Sequence, residues 1–298
     1  MAGTQQTRRI YATLFEGLCT LGRPIGGIRP RRMYHWLAQR AFEKPVHRWY
    51  RNRWDCELYL SPYYFLDRSI IAFGTYEPGL HTFIERNVRP GMVCLDVGAN
   101  LGEVTMHMAR KTGPTGHVFA FEPIPPVRAR LEQHVVHNNL SGVVTVKPIA
   151  LSSGEGSVTM SYATTAEPNQ GMGSLVNIDN AQTALRVEVQ TQTLDAVVTA
   201  HGLDRVDFIK LDVQGAEPLV LAGAGETLAR FSPDLLMEVS PEDLRFLGTD
   251  GRALCASVEA LGYSLFDLRP DGSMRALRAA DLSPEFAADI VYCTRRPR

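Results

Sequence analysis

From about residue 91 to the end of the chain, short apolar runs alternate with amphipathic stretches. Apolar runs rich in β-branched residues are typical of buried strands, and amphipathic stretches between them are typical of helices that cover a sheet. The alternation therefore predicts an α/β fold with a mostly parallel sheet and helices on both faces. The seven predicted strands are 92–97, 117–122, 143–149, 206–212, 234–239, 264–268 and 289–294, and the predicted helices include 102–111, 126–138, 216–222 and 251–261.

The last two predicted strands are joined by a short, polar connection that contains proline. This connection is too short for another crossover helix. We therefore expect the two strands to form an antiparallel hairpin at the edge of the sheet.

Two regions interrupt the alternation. Residues 152–193 hold two strand-like runs, 157–162 and 186–191, separated by the polar, glycine-containing loop 164–173. We expect this β-insertion to carry a binding loop or lid, the alternative being a disordered surface loop. Residues 1–90 are basic and rich in aromatic side chains, and they are expected to form a helical N-terminal extension before a ligand-binding domain of residues 91–298.

Charge is distributed unevenly along a chain whose net charge is only −1. Residues 1–55 carry 11 basic and 3 acidic side chains, so the remainder is acidic. The small net charge gives no electrostatic reason to expect nucleic acid as a partner. Three interpretations of the basic segment stay open: packing on the core with solvated charges, binding of a large ligand, or peripheral contact with an anionic membrane.

The five cysteines are far apart, mostly in apolar runs, and form no CxxC pair. This pattern favours buried, reduced thiols in a cytoplasmic protein over a disulfide framework or a zinc site. The N-terminus lacks the pattern of a signal peptide, and residues 10–28 are too polar for a membrane span. No histidines stand at metal-ligand spacing, so no metal is predicted.

The first predicted strand ends in a carboxylate and a glycine turn, with the sequence Asp96-Val97-Gly98-Ala99-Asn100-Leu101-Gly102. Glycine lets a backbone approach a ligand closely, and open α/β sheets bind ligands at the carboxyl ends of their strands. A dinucleotide site usually has G-x-G-x-x-G here, whereas these glycines are four residues apart and follow Asp96. A carboxylate disfavours a pyrophosphate but suits a ligand with an amino group and a sulfonium. The turn therefore favours S-adenosylmethionine over NAD, and its candidate binding residues are Asp96, Gly98, Asn100 and Gly102.

The ends of the next two predicted strands add candidate binding residues. Glu122 ends the second strand, where an acidic side chain can accept hydrogen bonds from both ribose hydroxyls of a nucleoside. The alternative is a helix-capping role before Pro123. At the end of the third strand, Ala150, Leu151 and Ser152 are expected beside the adenine ring, with Ser152 bonded to an edge nitrogen.

These motifs resemble those of the FkbM family of methyltransferases. The matching segments are 95–102, 119–123, 193–195 and 206–217, with a less specific match at 74–78. The block from Lys210 to Glu217 is the most specific, although the family often has Glu where this chain has Gln214. The resemblance implies a class I (Rossmann-like) methyltransferase with a seven-stranded sheet. It also implies methylation of a hydroxyl on a sugar, glycan or polyketide-type small molecule, or of nitrogen on a peptide or amine.

The reacting end of such a site must orient an acceptor and remove its proton. Lys210 and Asp212 share one face of the fourth strand because side chains alternate across a strand. Asp212 is the first candidate for a general base, and Lys210 is expected to stabilise a developing alkoxide or keep Asp212 ionised. A buried structural ion pair is the alternative. Glu238, at the end of the fifth strand, is the next candidate for acceptor binding.

Two other positions, Tyr76 and Glu77, admit two interpretations each. Tyr76 and Glu77 either close over the methionine moiety of the cofactor or form a turn before Pro78. Asp195 is expected to cap the helix that follows it.

Two other functions remain open, a non-catalytic cofactor-binding module and a nicotinamide-dependent oxidoreductase. The oligomeric state also remains open.

Overall fold

The computed structural model describes residues 2–21, 31–163, 173–174, 184–269 and 271–296. Described residues up to Glu77 cluster in one compact unit, and those of Pro78–Tyr162 and from Gly173 onward cluster in another. Apart from Gly173, the predicted loop 164–173 lies outside the described residues. Within them, no helix is both long enough and apolar enough to cross a membrane.

The N-terminal unit combines three helices with a small hairpin. Its elements are α1 (Ala2–Leu21), α2 (Arg31–Ala41), β1 (Arg48–Arg51), β2 (Glu57–Leu60) and α3 (Phe65–Phe73). Phe15 of α1 packs edge-on against Tyr34 and Phe42, and Tyr34 also contacts Phe73. The three helices agree with the expected helical extension. The antiparallel β1–β2 pair was not predicted, because it has only four residues per strand, too few for a clear periodicity.

The second unit contains the sheets. In chain order its elements are α4 (Pro78–Asn87), β3 (Val93–Val97), α5 (Glu103–Thr112), β4 (His117–Phe121), α6 (Pro125–His137), β5 (Val144–Lys147), β6 (Ile149–Leu151), β7 (Gly156–Ala163), β8 (Gly173–Ser174), β9 (Ala184–Gln192), α7 (Leu194–Ala200), β10 (Phe208–Leu211), α8 (Glu217–Ala222), α9 (Gly225–Phe231), β11 (Asp234–Val239), α10 (Pro241–Leu244), α11 (Gly251–Ala260), β12 (Ser264–Leu268), β13 (Met274–Leu277) and β14 (Ala288–Thr294).

The main sheet has the order β13-β12-β14-β11-β10-β3-β4-β5. Its five strands from β11 to β5 run parallel, and β14 joins β11 antiparallel. The apolar side chains of these strands and of the helices between them form one large core. The predicted α/β fold of the class I methyltransferase type is therefore confirmed.

Among the described residues, the main sheet has eight strands rather than the predicted seven. The last two predicted strands do pair antiparallel, as β12 and β14, but β13 lies in their connection and pairs with β12 at the sheet edge. Three of the four residues of β13 are exposed. Such a strand shows no alternation of apolar and polar residues, which is why the pattern does not predict it.

The predicted third strand, 143–149, is divided between two sheets. β5 ends at Lys147 in the main sheet, Pro148 lacks the N–H that a ladder requires, and β6 begins a second sheet of order β6-β9-β7-β8. The two strands predicted in the insertion are present as β7 and β9. The insertion is thus a small sheet with its own apolar cluster, which includes Met160 and Val189.

The boundary between the compact units falls at Glu77–Pro78 rather than at residue 90. Helix α4 belongs to the second unit because Phe83 on its inner face contacts the rings of Phe208 and Tyr292 on the main sheet.

Candidate functional site

Three adjacent parallel strands, β10, β3 and β4, bring the predicted site residues to one edge of the main sheet. In the register of these strands, Asp96 lies opposite Lys210 on one side and Ala120 on the other. The chain turns directly after Val97, Phe121 and Leu211, so the three connections lie side by side.

The turn after β3 is held by the backbone of β4 and packs against the segment after β10. Gly98 and Ala99 both donate their N–H groups to the carbonyl oxygen of Phe121. Gly98 has φ +79°, and a β-carbon there would lie 1.8 Å from the carbonyl oxygen of Asp212. At Gly102 a β-carbon would lie 2.3 Å from Leu131 Cδ1. The need for glycine at both positions therefore arises from packing within the protein, and contact of either glycine with a ligand stays a prediction.

Asp96 lies behind this turn with no exposed surface. Its Oδ2 accepts a hydrogen bond of 2.5 Å from Thr105 Oγ1, and its Oδ1 lies 3.3 Å from Lys210 Nζ. The second contact has the distance of an ion pair but not the geometry of a hydrogen bond. Asp96 thus connects the turn to α5 and β10, and a direct contact with a ligand ammonium stays a prediction.

Glu122 closes the same turn from β4. Its Oε2 accepts from the N–H of Asn100 and its Oε1 from the N–H of Ile124, both at 2.9 Å. Burial raises the pKa of Glu122 to about 7, against the lowering effect of these two hydrogen bonds. Each carboxylate oxygen can accept a second hydrogen bond. Glu122 can therefore receive two hydroxyl donors without losing its contacts to the turn.

Lys210 is the central cation at this edge of the sheet. Its Nζ donates to the carbonyl oxygen of Gly98 at 3.0 Å and lies 3.3 Å from Asp96 Oδ1 and 3.2 Å from Asp212 Oδ2. Its side chain is almost completely buried, whereas that of Asp212 is about one third exposed, at 31%. The Lys210 ammonium thus compensates the charges of the Asp96 and Asp212 carboxylates, and of these two only Asp212 is exposed to solvent.

Asp212, Gln214 and Glu238 form a polar cluster at the ends of β10 and β11. Gln214 Nε2 donates to Asp212 Oδ1 at 3.2 Å and to Glu238 Oε2 at 3.1 Å. Burial acts to raise the pKa of Asp212, but the nearby Lys210 ammonium and hydrogen bonding within the cluster lower the pKa below its ordinary value. The pairing of β11 with β14 is irregular between Met237 and Val239, at Glu238. Such irregularities are common where a strand directs a side chain into a site.

Gln214 was noted in the sequence as a departure from a motif that is compatible with polar positioning, but it was not among the predicted site residues. Its position two residues after Asp212, in the turn before Gly215, is the one available signal. Glu217 organises that turn, since its Oε1 accepts from the N–H groups of Val213 and Gly215.

The three residues predicted to lie beside adenine belong to other parts of the fold. Ala150 packs in the small cluster of the second sheet, Leu151 packs in the main core, and the N–H of Ser152 bonds to Gln192 of β9. Their predicted place at the end of a main-sheet strand is wrong because that strand ends at Lys147. Contact with adenine stays a prediction.

Tyr76 and Glu77 belong to the N-terminal unit, where Tyr76 is exposed and meets Phe65 edge-on. Their role in cofactor binding stays a prediction.

The expectation that Asp195 caps its own helix is wrong. Thr193 Oγ1 caps α7, whereas the carboxylate of Asp195 accepts from the N–H groups of Glu226 and Thr227 in the first turn of α9. Asp195 stabilises a helix 31 residues away, which local sequence pattern does not reveal.

The charges around the turn fit a nucleoside with a cationic end better than a dinucleotide. Glu122 and Asp96 are acidic, and the nearby Lys210 is buried and already bonded to Gly98. A pyrophosphate would meet no exposed cation among these residues, whereas ribose hydroxyls find acceptors at Glu122. S-adenosylmethionine therefore fits the residues present.

Three relatives of known name share part of the chain. It is 32% identical over 195 residues to the AMB antimetabolite synthetase AmbE of Pseudomonas aeruginosa, covering 55% of this chain and 9% of that protein. It is 28% identical to the 2-O-methyltransferase NoeI of Sinorhizobium fredii, covering 48% and 61%. It is 27% identical to the 31-O-demethyl-FK506 methyltransferase FkbM of Streptomyces tacrolimicus, covering 46% and 60%. The chain thus spans less than two thirds of each relative's length.

Residues 96–265 match the family described as the methyltransferase FkbM domain. The match begins at Asp96, includes Glu122, Lys210, Asp212 and Glu238, and extends into β12. It covers more than half of the chain. The chain therefore belongs to the FkbM methyltransferase family.

Proposed function

We propose that this protein is an S-adenosylmethionine-dependent methyltransferase that methylates a hydroxyl oxygen of a small-molecule or glycan acceptor. The observation that carries the proposal is the position of Glu122 and Asp212 at the ends of β4 and β10, the two strands that flank β3, within the region that matches the family. In this proposal, Glu122 binds the nucleoside part of the cofactor, and Asp212 removes the proton of the acceptor.

The cofactor side of the proposed site consists of the turn from Gly98 to Gly102 together with Glu122. The two backbone contacts of Glu122 fix its carboxylate before any ligand arrives. Preorganisation of this kind lowers the entropic cost of binding. Bound S-adenosylmethionine would supply a methyl carbon activated by the adjacent sulfonium.

The acceptor side consists of Asp212, with Glu238 as its neighbour. A general base must be ionised before it can accept a proton, and the low pKa of Asp212 satisfies this condition at neutral pH. Lys210 keeps the carboxylate ionised from its buried side. The same ammonium donates a hydrogen bond to Gly98 and forms an ion pair with Asp96, so we assign it to positioning rather than to direct stabilisation of an alkoxide.

The proposed general base, Asp212, favours a hydroxyl acceptor over an amine acceptor. An alcohol loses its proton during transfer and needs a carboxylate such as Asp212 in place. Two of the three named relatives carry oxygen methylation in their names, which supports the same choice. Methylation of nitrogen on a peptide or amine is the second candidate, because the same carboxylates would also attract a cationic amine.

The experiment that tests this proposal offers the purified protein labelled S-adenosylmethionine with a panel of polyhydroxylated and amine acceptors. We expect label on oxygen of at least one acceptor, with loss of turnover in Asp212→Asn and retained affinity for S-adenosylhomocysteine. Cofactor binding without label transfer to any acceptor would favour a binding module instead. Label on nitrogen alone would favour the second candidate.

A further inference from the structure

One amide group lies between the two carboxyl groups of the acceptor side. Gln214 Nε2 is 3.2 Å from Asp212 Oδ1 and 3.1 Å from Glu238 Oε2. An amide nitrogen has two hydrogens, so it can donate to both carboxyl groups at once. Asp212 and Glu238 come from different strands, and Gln214 bridges them.

The backbone holds Gln214 in this position at a conformational cost. Gln214 has φ +54°, in the left-handed region that non-glycine residues rarely adopt. Glu217 accepts from the N–H groups on both sides of it, at Val213 and Gly215. A β-carbon at Gly215 would lie 2.7 Å from the Asp243 backbone, so the turn cannot shift freely. Strained residues that surrounding structure holds in place are common at functional sites.

The hydrogen bonds donated by the Gln214 amide affect the ionisation of the neighbouring carboxyl groups. Asp212 faces Lys210 from its own strand, Glu238 from β11 and the buried Glu217 from α8. Two carboxylates this close repel each other, and a neutral donor between them reduces that repulsion.

We propose that Gln214 is a positioning residue whose amide holds the side chains of Asp212 and Glu238 in place and favours the ionised form of Asp212 at the acceptor site. This inference rests on the proposed function, in which Asp212 receives the proton of the acceptor hydroxyl. A carboxyl group in place of the amide would remove both donated hydrogen bonds and add a third acidic group to the cluster. The residue type at position 214 therefore affects the pH range in which the Asp212 carboxylate is ionised and can accept a proton.

The test follows the carboxyl carbon of Asp212 by NMR in ¹³C-labelled protein during a pH titration, with Asp212→Asn used for assignment. We expect the titration midpoint of Asp212 to lie below the ordinary value in the wild type and to rise by at least about one pH unit in Gln214→Glu. Gln214→Met should raise it less, because the donors are lost but no charge is added. Gln133→Glu, which adds the same charge on an exposed position of α6, should leave it unchanged.

A second signal requires no substitution. The side-chain ¹⁵N–H₂ resonances of Gln214 in the wild type should shift with the same midpoint as Asp212. Equal Asp212 midpoints in the wild type, Gln214→Glu and Gln214→Met would overturn the inference, and so would amide resonances that do not respond to this titration.

Affinity for S-adenosylhomocysteine separates this inference from the proposed function. We expect both Gln214 variants to bind this compound as the wild type does, because residue 214 lies on the acceptor side. Absence of binding to the wild type would contradict the proposed function, whereas the NMR midpoints would still decide whether the bridge exists.

Discussion

Lys210 places its ammonium 3.3 Å from Asp96 Oδ1, at a position where the Asp96 side chain is completely buried. The same ammonium bonds to the carbonyl oxygen of Gly98 and lies 3.2 Å from Asp212. One buried cation therefore links the proposed cofactor turn to the proposed base. A change at Lys210 is expected to affect the stability of the fold and the ionisation of Asp212 together.

Replacement of Lys210 by alanine should destabilise the protein strongly. The change leaves Asp96 as a buried, unpaired carboxylate, and breaking a buried pair in this way costs about 3–5 kcal/mol. The measurement is the free energy of unfolding in urea. Lys111→Ala is the matched control, because its pair with Glu85 is much more exposed and should contribute less than about 1 kcal/mol. Equal losses in the two variants would contradict the role assigned to Lys210.

Alanine at Gly98 should be far more disruptive than alanine at Gly113. Both glycines have positive φ, at +79° and +64°, so both substitutions introduce strain on the order of 1 kcal/mol. Only at Gly98 would the new β-carbon also collide with the backbone of Asp212, whereas nothing lies within 4 Å at Gly113. We expect Gly98→Ala to lose at least about 2 kcal/mol more unfolding free energy than Gly113→Ala. A difference near zero would show that the turn does not pack against Asp212.

The stability of the ligand-free protein should fall as pH rises through neutrality, in part because of Glu122. Burial raises the pKa of this carboxyl from 4.5 in the unfolded chain to about 7 in the folded protein. Its stabilising contribution is therefore complete below pH 4.5 and is lost as pH rises through 7, by on the order of 2–3 kcal/mol. Urea unfolding from pH 4.5 to 8 should show this loss in the wild type and a smaller loss in Glu122→Gln.

The comparison within that series isolates Glu122. Burial also raises the pKa of Glu217 to about 7, but this group contributes equally to the wild type and to Glu122→Gln. Glu132→Gln, at an exposed position of α6, should reproduce the wild-type pH profile. Identical profiles for the wild type and Glu122→Gln would mean that Glu122 does not titrate in this range.

Binding of S-adenosylhomocysteine should release protons near pH 6. Ribose hydroxyls that donate to Glu122 favour its ionised form, so bound ligand should lower a pKa that is about 7 without ligand. Calorimetric titrations in two buffers of different ionisation enthalpy measure this release. Glu122→Gln should abolish it and Glu217→Gln should retain it. Binding without proton exchange in the wild type would place the ribose elsewhere.

The alternation of apolar and amphipathic runs predicts the core of this site because parallel strands end at one edge of a sheet. Glu122 and Lys210 are far apart in sequence, yet strand order alone brings them to either side of the turn after Asp96. The order of β10, β3 and β4 is a property of the whole fold class and needs no side-chain detail.

The contacts that sequence does not reveal depend on backbone torsion or on distant partners. Gln214 contacts Asp212 and Glu238 from a backbone with positive φ, and this conformation cannot be predicted from the residue type. The division at Pro148 follows from a single missing N–H inside a run that otherwise has the pattern of one strand. Asp195 meets a helix that starts thirty residues later. Each of these is a tertiary relationship without a local pattern.

Titration of the wild type with S-adenosylhomocysteine tests the central claim, that the turn after β3 and Glu122 hold this cofactor, most directly. We expect saturable binding to one site, weakened by roughly 10-fold or more in Glu122→Ala through loss of charge-assisted hydrogen bonds. Asp212→Asn, which removes the charge of the acceptor-side carboxyl group without changing its size, should leave the affinity unchanged. Absence of saturable binding to the wild type, or full affinity in Glu122→Ala, would contradict the account.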